Sequence, residues 1–460
     1  MNPSPKVSRR RMMQASVCAG GLSLSLPDLL RLQAAGDGPG ENDTAVIQVW
    51  LGGGHSQFET FDPKPDASAE IRGPYGTVKT LFPGISFSEK MPLTGQVVDR
   101  TAIIRSIAHG NNGHFVAAHW CSTGYIGTNN RSSHPSSGSL VSRFRGPNRP
   151  GMPAYVLLSE EQTRNPEIGS VMGSSHLGAR HAPFTVLQDS FKYNFRQDKL
   201  HDATSNLELA NDVTLERVGD RRSLLRSLDR FERNVDNRRT MRGMDRFNEL
   251  AFNMVTTGKA RDAFDLEKES KATRDLYGPH RWGQSALLAR RLVEAGVTFV
   301  TINTAPDSLC WDWHLNIVND DRPADGSDGP SRGMDISGPP LDRMLSALVT
   351  DLYQRGLDKK VLLVVWGEFG RTPRINPTGG RDHWGQLMSI LIAGGGLKVG
   401  QVIGASNANG EVPSDRPIHP TDVLAMIYRH LGINTSLHTE TLEGRPFPIL
   451  PSGELIPELI

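Results

Sequence analysis

Two acidic residues and a histidine sit close together in Gly52-Gly53-Gly54-His55-Ser56-Gln57-Phe58-Glu59-Thr60-Phe61-Asp62-Pro63-Lys64-Pro65. Carboxylates at Glu59 and Asp62 in a glycine-rich loop suit zinc, manganese, magnesium or calcium. The same residues also suit a plain turn, with Asp and Ser bonded to backbone. Cys310-Trp311-Asp312-Trp313-His314 carries Asp-x-His, a carboxylate and an imidazole within reach of one ion; a tryptophan-rich packing loop is the alternative. Trp366-Gly367-Glu368-Phe369-Gly370-Arg371-Thr372-Pro373 is followed by Gly379-Gly380-Arg381-Asp382-His383-Trp384. Here Glu368, Asp382 and His383 are candidate ligands, and the guanidinium groups of Arg371 and Arg381 suit a phosphate, sulfate or carboxylate. Arg–carboxylate pairing without an ion would use the same residues. A fourth segment, Asn111-Asn112-Gly113-His114, opens a helix whose free N–H groups favour an anion. His114 is a ligand or proton-transfer candidate, whereas His119 reads as structural. No G-x-S-x-G turn occurs, so a serine-hydrolase elbow is not supported.

These segments need elements to hold them. Residues 44–51 form an apolar run ending in three glycines, as expected of a buried strand that opens into a loop. Further strands are expected at 101–107, 154–158, 297–303, 360–366 and 387–393, with helices between the later ones. The clearest helix spans Pro339–Arg355, with Ser337 as its cap, Gly356 at its end, and a stripe of Leu341, Met344, Leu345, Leu348 and Leu352. Helix, short loop and buried strand in repetition predict an α/β fold. Its central sheet is mainly parallel, with helices on both faces. Residues 206–276, rich in Arg, Asp, Glu and Leu, read as a helical insertion beside that sheet.

Ser8-Arg9-Arg10-Arg11 ahead of a short apolar stretch has the layout of a twin-arginine export signal, with cleavage near Ala34-Ala35. The expected organisation is therefore a signal peptide at 1–35, followed by one domain at 36–460. The expected location is the periplasm or beyond, reached through the twin-arginine machinery without a transmembrane span. A net charge of +1 with no lysine-rich tail argues against a nucleic-acid partner. No Cys-x-x-Cys pair exists, and Cys121 and Cys310 read as buried small hydrophobes in preference to a disulfide.

The blocks GGGHSQFETFDPKP, WGEFGRTPRIN and GGRDHWG resemble those of the DUF1501 family. These are exported bacterial proteins that look related to the alkaline phosphatase/sulfatase fold. The resemblance implies an alkaline phosphatase-like sheet, divalent metal, and a sulfate or phosphate ester as substrate, small or polymeric. A binding or scaffold protein that keeps the fold is the alternative. Two departures accompany the resemblance. His114 stands where a Cys, Ser or Thr nucleophile is expected, and Glu368-Phe369 stands where an Asp-His pair is expected.

Overall fold

The computed structural model describes residues 43–127, 133–160, 171–188, 259–305, 310–318, 333–441 and 443–460. The expected signal segment and residues 206–258 of the expected insertion lie outside them. The described end of that insertion contains the helices Lys259–Phe264 and Lys271–Tyr277.

The main elements are β1 (Ala45–Trp50), β2 (Thr101–Ile107), α1 (His114–Thr123), α2 (Ser137–Phe144), β3 (Tyr155–Glu160), β4 (Phe184–Gln188), α3 (Arg281–Ala295), β5 (Phe299–Asn303), α4 (Met334–Gln354), β6 (Val361–Trp366), β7 (Met388–Gly394), β8 (Gln401–Ile403) and α5 (Pro420–His430). The strands form one eight-stranded sheet in the order β8-β2-β7-β6-β1-β5-β3-β4. Every neighbouring pair is parallel except the two that involve β7, which runs against both β2 and β6. A mixed α/β architecture with a large, mainly parallel sheet is thus what the chain adopts.

Apolar runs without alternation become central strands because both faces of the sheet are covered. Every residue of β1 and of β6 is buried. Ile47, Val49, Leu363 and Val365 face one core cluster with Leu287 of α3 and Leu345 of α4. Val46, Trp50, Leu362 and Val364 face the other, with Ala118 of α1, Leu140 of α2 and Leu424 of α5. The five-residue stripe of α4 is entirely buried in the first cluster. Each such side chain contributes roughly 1.5–3 kcal/mol. Cys121 and Cys310 belong to opposite clusters and form no disulfide.

The start of α4 differs from expectation. Ser337 is not the cap; it is buried inside a helix that begins at Met334, with Pro339 and Pro340 following within the helix. The extra turn is anchored from outside, because Met334 and Asp335 donate their N–H groups to the carbonyls of Ile317 and Val318 (2.7 and 3.0 Å). Such long-range partners leave no mark in local sequence. The far end obeys the local rule: Gly356 is left-handed (φ 66°), and Leu357 N–H closes back on Leu352 O (2.8 Å).

Strand direction decides where the loops emerge. Those after β1, β2, β5 and β6 all leave the carboxyl edge of the sheet, where open α/β sheets collect ligands. Because β7 is reversed, the long 367–387 connection from β6 begins and ends at that same edge. Glu368, Arg371, Arg381, Asp382 and His383 are delivered there together.

Candidate metal centre

Asp312 is the focus. Its carboxylate accepts from Nε2 of His114 (Oδ2, 3.3 Å), Nε2 of His314 (Oδ1, 3.0 Å) and Nη2 of Arg371 (Oδ1, 2.6 Å), and Nε2 of His383 lies 3.0 Å from Oδ1. His114, Asp312 and His383 offer ligand atoms that all lie within 4.8 Å of one another, and they are the group that could hold a metal ion among the described residues. His114 is the first residue of α1, after extended Gly113, so the helix start aims its ring across the edge of the sheet. Asp312 is placed by its neighbours: Trp311 N–H reaches Gly52 O (3.2 Å), and the Trp311 indole N–H reaches Thr304 Oγ1 (2.9 Å). His383 pairs with Arg371 in a two-residue antiparallel ribbon. Its Nδ1 donates to Asn112 O (2.8 Å), which leaves the Nε2 lone pair facing inward.

Glu368 closes the back of the cluster. Its Oε1 accepts from Gly53 N–H (2.8 Å) and from His114 Nδ1 (2.8 Å), while Oε2 is buried with no hydrogen-bond partner among the described residues. On the rim, Asp382 Oδ1 accepts from His314 Nδ1 (2.8 Å), and His314 Nε2 lies 2.8 Å from His383 Nε2.

These contacts set the protonation states. Burial alone would lower the pKa of His114, but its hydrogen bonds to Asp312 and Glu368 win and raise it to about 9. Both ring nitrogens then donate, as an imidazolium requires. Burial works against the charge of Asp312, yet Arg371 and the hydrogen bonds from His114 and His314 hold it well below the ordinary carboxylate range. The bond to Asp312, ahead of an opposing burial effect, raises His314; burial lowers His383. His383 is therefore the neutral acceptor of the His314–His383 contact.

Other expected residues are placed differently. Arg381 is fully buried and clamps Glu59 through Nε (3.1 Å to each oxygen) and Nη2 (2.9 Å). Its remaining N–H groups reach the carbonyls of Ile71 (2.7 Å), Thr372 (3.0 Å) and Pro373. Its guanidinium also lies over the Phe58 ring. Asp62 binds Lys64 (3.0 Å), Arg105 (3.4 Å) and Ser406. Glu59 and Asp62 thus sit in buried ion pairs, and the structure does not bring them into the His114–Asp312–His383 cluster. Arg371 lies at the cluster but turns inward. Its Nε donates to Gly54 O (2.7 Å), Nη1 to Arg381 O (3.1 Å), and Nη2 to Gly53 O and Asp312. Sequence reasoning missed the backbone participants, Gly53 N–H and Asn112 O, because main-chain groups carry no residue signal. It also missed Gln57, whose buried amide brackets Arg371 through both its N–H and its carbonyl (2.9 Å each).

Residues 43–460 match the family described as protein of unknown function, DUF1501. The chain belongs to the DUF1501 family. Among curated proteins none matches it. Among solved structures, this DUF1501 chain is similar to the lipoteichoic acid synthase LtaP from Listeria monocytogenes, at 10% identity and a TM-score of 0.38, covering 86% of this chain and 73% of that one. It is also similar to the PsFucS1 sulfatase from Pseudoalteromonas sp., at 12% identity and a TM-score of 0.38, covering 89% and 71%. A third is the alkaline phosphatase from the Antarctic bacterium TAB5, at 11% identity and a TM-score of 0.34, covering 86% and 100%. No helix among the described residues is long and apolar enough to cross a membrane.

Proposed function

We propose that this DUF1501 protein holds a divalent metal ion on His114, Asp312 and His383 and hydrolyses sulfate or phosphate esters. The observation that carries the reading is the convergence of two imidazole nitrogens and an ionised carboxylate within 4.8 Å. Mixed nitrogen and oxygen donors suit zinc or manganese. The unpartnered Oε2 of Glu368, on a carboxylate already in contact with His114, is a buried lone pair of the kind a cation satisfies. Such an ion, when bound, supplies Lewis acidity toward an ester oxygen and activates water.

The rest of the work falls to the chain. Asp382 fixes the His314 ring through Nδ1, so Nε2 faces the cluster from a partly exposed rim and takes or gives a proton there. Arg371 keeps Asp312 ionised. With His114 at the start of α1, no hydroxyl or thiol occupies that turn, so the attacking group in this reading is water. In the same reading the protein is exported through the twin-arginine machinery and meets its anionic ester, small or polymeric, outside the cytoplasm. One observation favours a second reading, a binding or scaffold protein: Arg371 and Arg381 direct their N–H groups to protein oxygens, which leaves neither as an anion clamp.

Elemental analysis of the purified protein, with Asp312→Ala and His383→Ala as controls, tests the metal. An aryl sulfate and phosphate ester screen of the loaded protein tests the reaction. Protein that cannot be loaded sinks the metal reading; loaded protein inert toward every ester selects the scaffold.

A further inference from the structure

The short segment between β2 and α1 contributes one candidate ligand, His114, yet it touches the supports of two other site residues. Asn112 O accepts from His383 Nδ1 (2.8 Å). The segment is laced to the loop that carries His383: His109 and Gly110 donate their N–H groups to Gly385 O (2.9 and 3.0 Å), and Gly385 N–H donates to Asn112 Oδ1 (2.7 Å). On the other side, His109 Nε2 lies 2.7 Å from the main-chain carbonyl of Glu368. The tautomer is determined by the partners. His109 Nδ1 accepts the N–H of Asn111 (3.1 Å), so the ring proton sits on Nε2 and is donated to Glu368 O. Burial, the larger effect, lowers the pKa of His109 to about 4, so this neutral form persists across the ordinary pH range.

We infer that His109 is a positioning residue: its Nε2–H fixes the Glu368 backbone, and through it the carboxylate that faces His114, relative to the segment that starts α1. His109 touches no reacting atom and offers no ligand. Its ring packs against Trp120 of α1 at 5.6 Å between centroids, which ties its orientation to the helix that carries His114. Glu368 is then held at both ends, by Gly53 N–H at the carboxylate and by His109 at the carbonyl. Partners bonded directly to a ligand are worth about 10–100-fold in metal affinity, and His109, which acts through Glu368, belongs at the low end of that range.

The inference rests on the metal reading above, and the test separates the two. Zinc and manganese affinity and thermal stability are measured on the full protein for wild type, His109→Phe and His109→Gln. Phe keeps a ring against Trp120 and removes both nitrogens; Gln returns an N–H donor near the place of Nε2. The expected result is a loss of about tenfold for His109→Phe, with most of it recovered in His109→Gln at similar stability. Folded His109→Phe that binds metal as wild type does, or His109→Gln no better than His109→Phe, overturns the assignment. Lower stability with unchanged affinity marks His109 as a packing residue and overturns it too. Wild-type protein that takes up no metal overturns the metal reading and this inference together.

Discussion

Metal affinity at this site should climb steeply with pH, and the slope can be worked from His114. A ligand must give up its proton to bind a cation. In the metal-free protein His114 holds a proton up to about pH 9 because it donates to both Asp312 and Glu368. At pH 7 the metal must displace that proton against two pH units, which weakens apparent binding about 100-fold, or about 2.7 kcal/mol. Asp312 is already ionised and His383 has a lowered pKa, so neither adds to the slope near neutrality. The apparent association constant should therefore rise at least tenfold per pH unit from pH 6.5 and flatten near pH 9, with at least one proton released per ion, since His314 also donates toward the His383 nitrogen that the ion takes. Competition against a calibrated chelator gives the constants, and calorimetry in buffers of different ionisation enthalpy counts the protons. Glu368→Gln removes one of the acceptors that hold the proton, so its curve should flatten at lower pH. A flat affinity between pH 6.5 and 8.5, or a Glu368→Gln curve that coincides with wild type, would refute the reasoning.

The same geometry sets three further outcomes. The metal-free protein should lose stability as pH rises: the folded pKa of His114 is raised from 6.5 to about 9, so its contribution is complete below pH 6.5 and gone above 9. The change is of the order of 3 kcal/mol, is read by urea melts, and should be smaller in Asp312→Asn, where Glu368 alone still holds the proton. Arg381→Met strands Glu59 in a buried site and should cost about 3–5 kcal/mol; a double-mutant cycle with Glu59→Gln by chemical denaturation should recover a large coupling, and additive effects would contradict the buried pair. Gly54→Ala should destabilise strongly, because Gly54 has φ of 81° and an added Cβ would lie 2.3 Å from the Phe369 ring; a melting temperature within a degree of wild type would show that the ring can move aside.

Legibility in the sequence tracked the range of the interactions. β1 and β6 read as buried runs because covered faces demand apolar residues at every position, and β2 read to the residue. His114, Asp312 and His383 stood out because each follows or precedes a strand at the edge where loops converge. Glu59 and Asp62 had the same appearance, a carboxylate in a post-strand loop, but an arginine had claimed each. Arg381 lies 322 positions from Glu59, and no local spacing discloses such a partner. Arg371 likewise looks like an anion clamp until the carbonyls of Gly53, Gly54 and Arg381 are seen around it. Guanidinium direction is a tertiary property.

The reversed strand β7 has a consequence for how the protein is made. β2 hydrogen-bonds to β7 and β8, and about 280 residues separate Ile107 from its partner Met388. At roughly 5–20 residues per second, a ribosome needs on the order of 15–60 s to supply that partner. Through that interval a strand that ends with six of its seven residues buried has no neighbour on either side. The sheet cannot close co-translationally from its amino end, and its non-local pairing makes closure slow once the chain is complete. Nascent β2 is thus a segment that a holding chaperone would have to cover, and a chain stalled before residue 388 presents it as an open edge for aggregation.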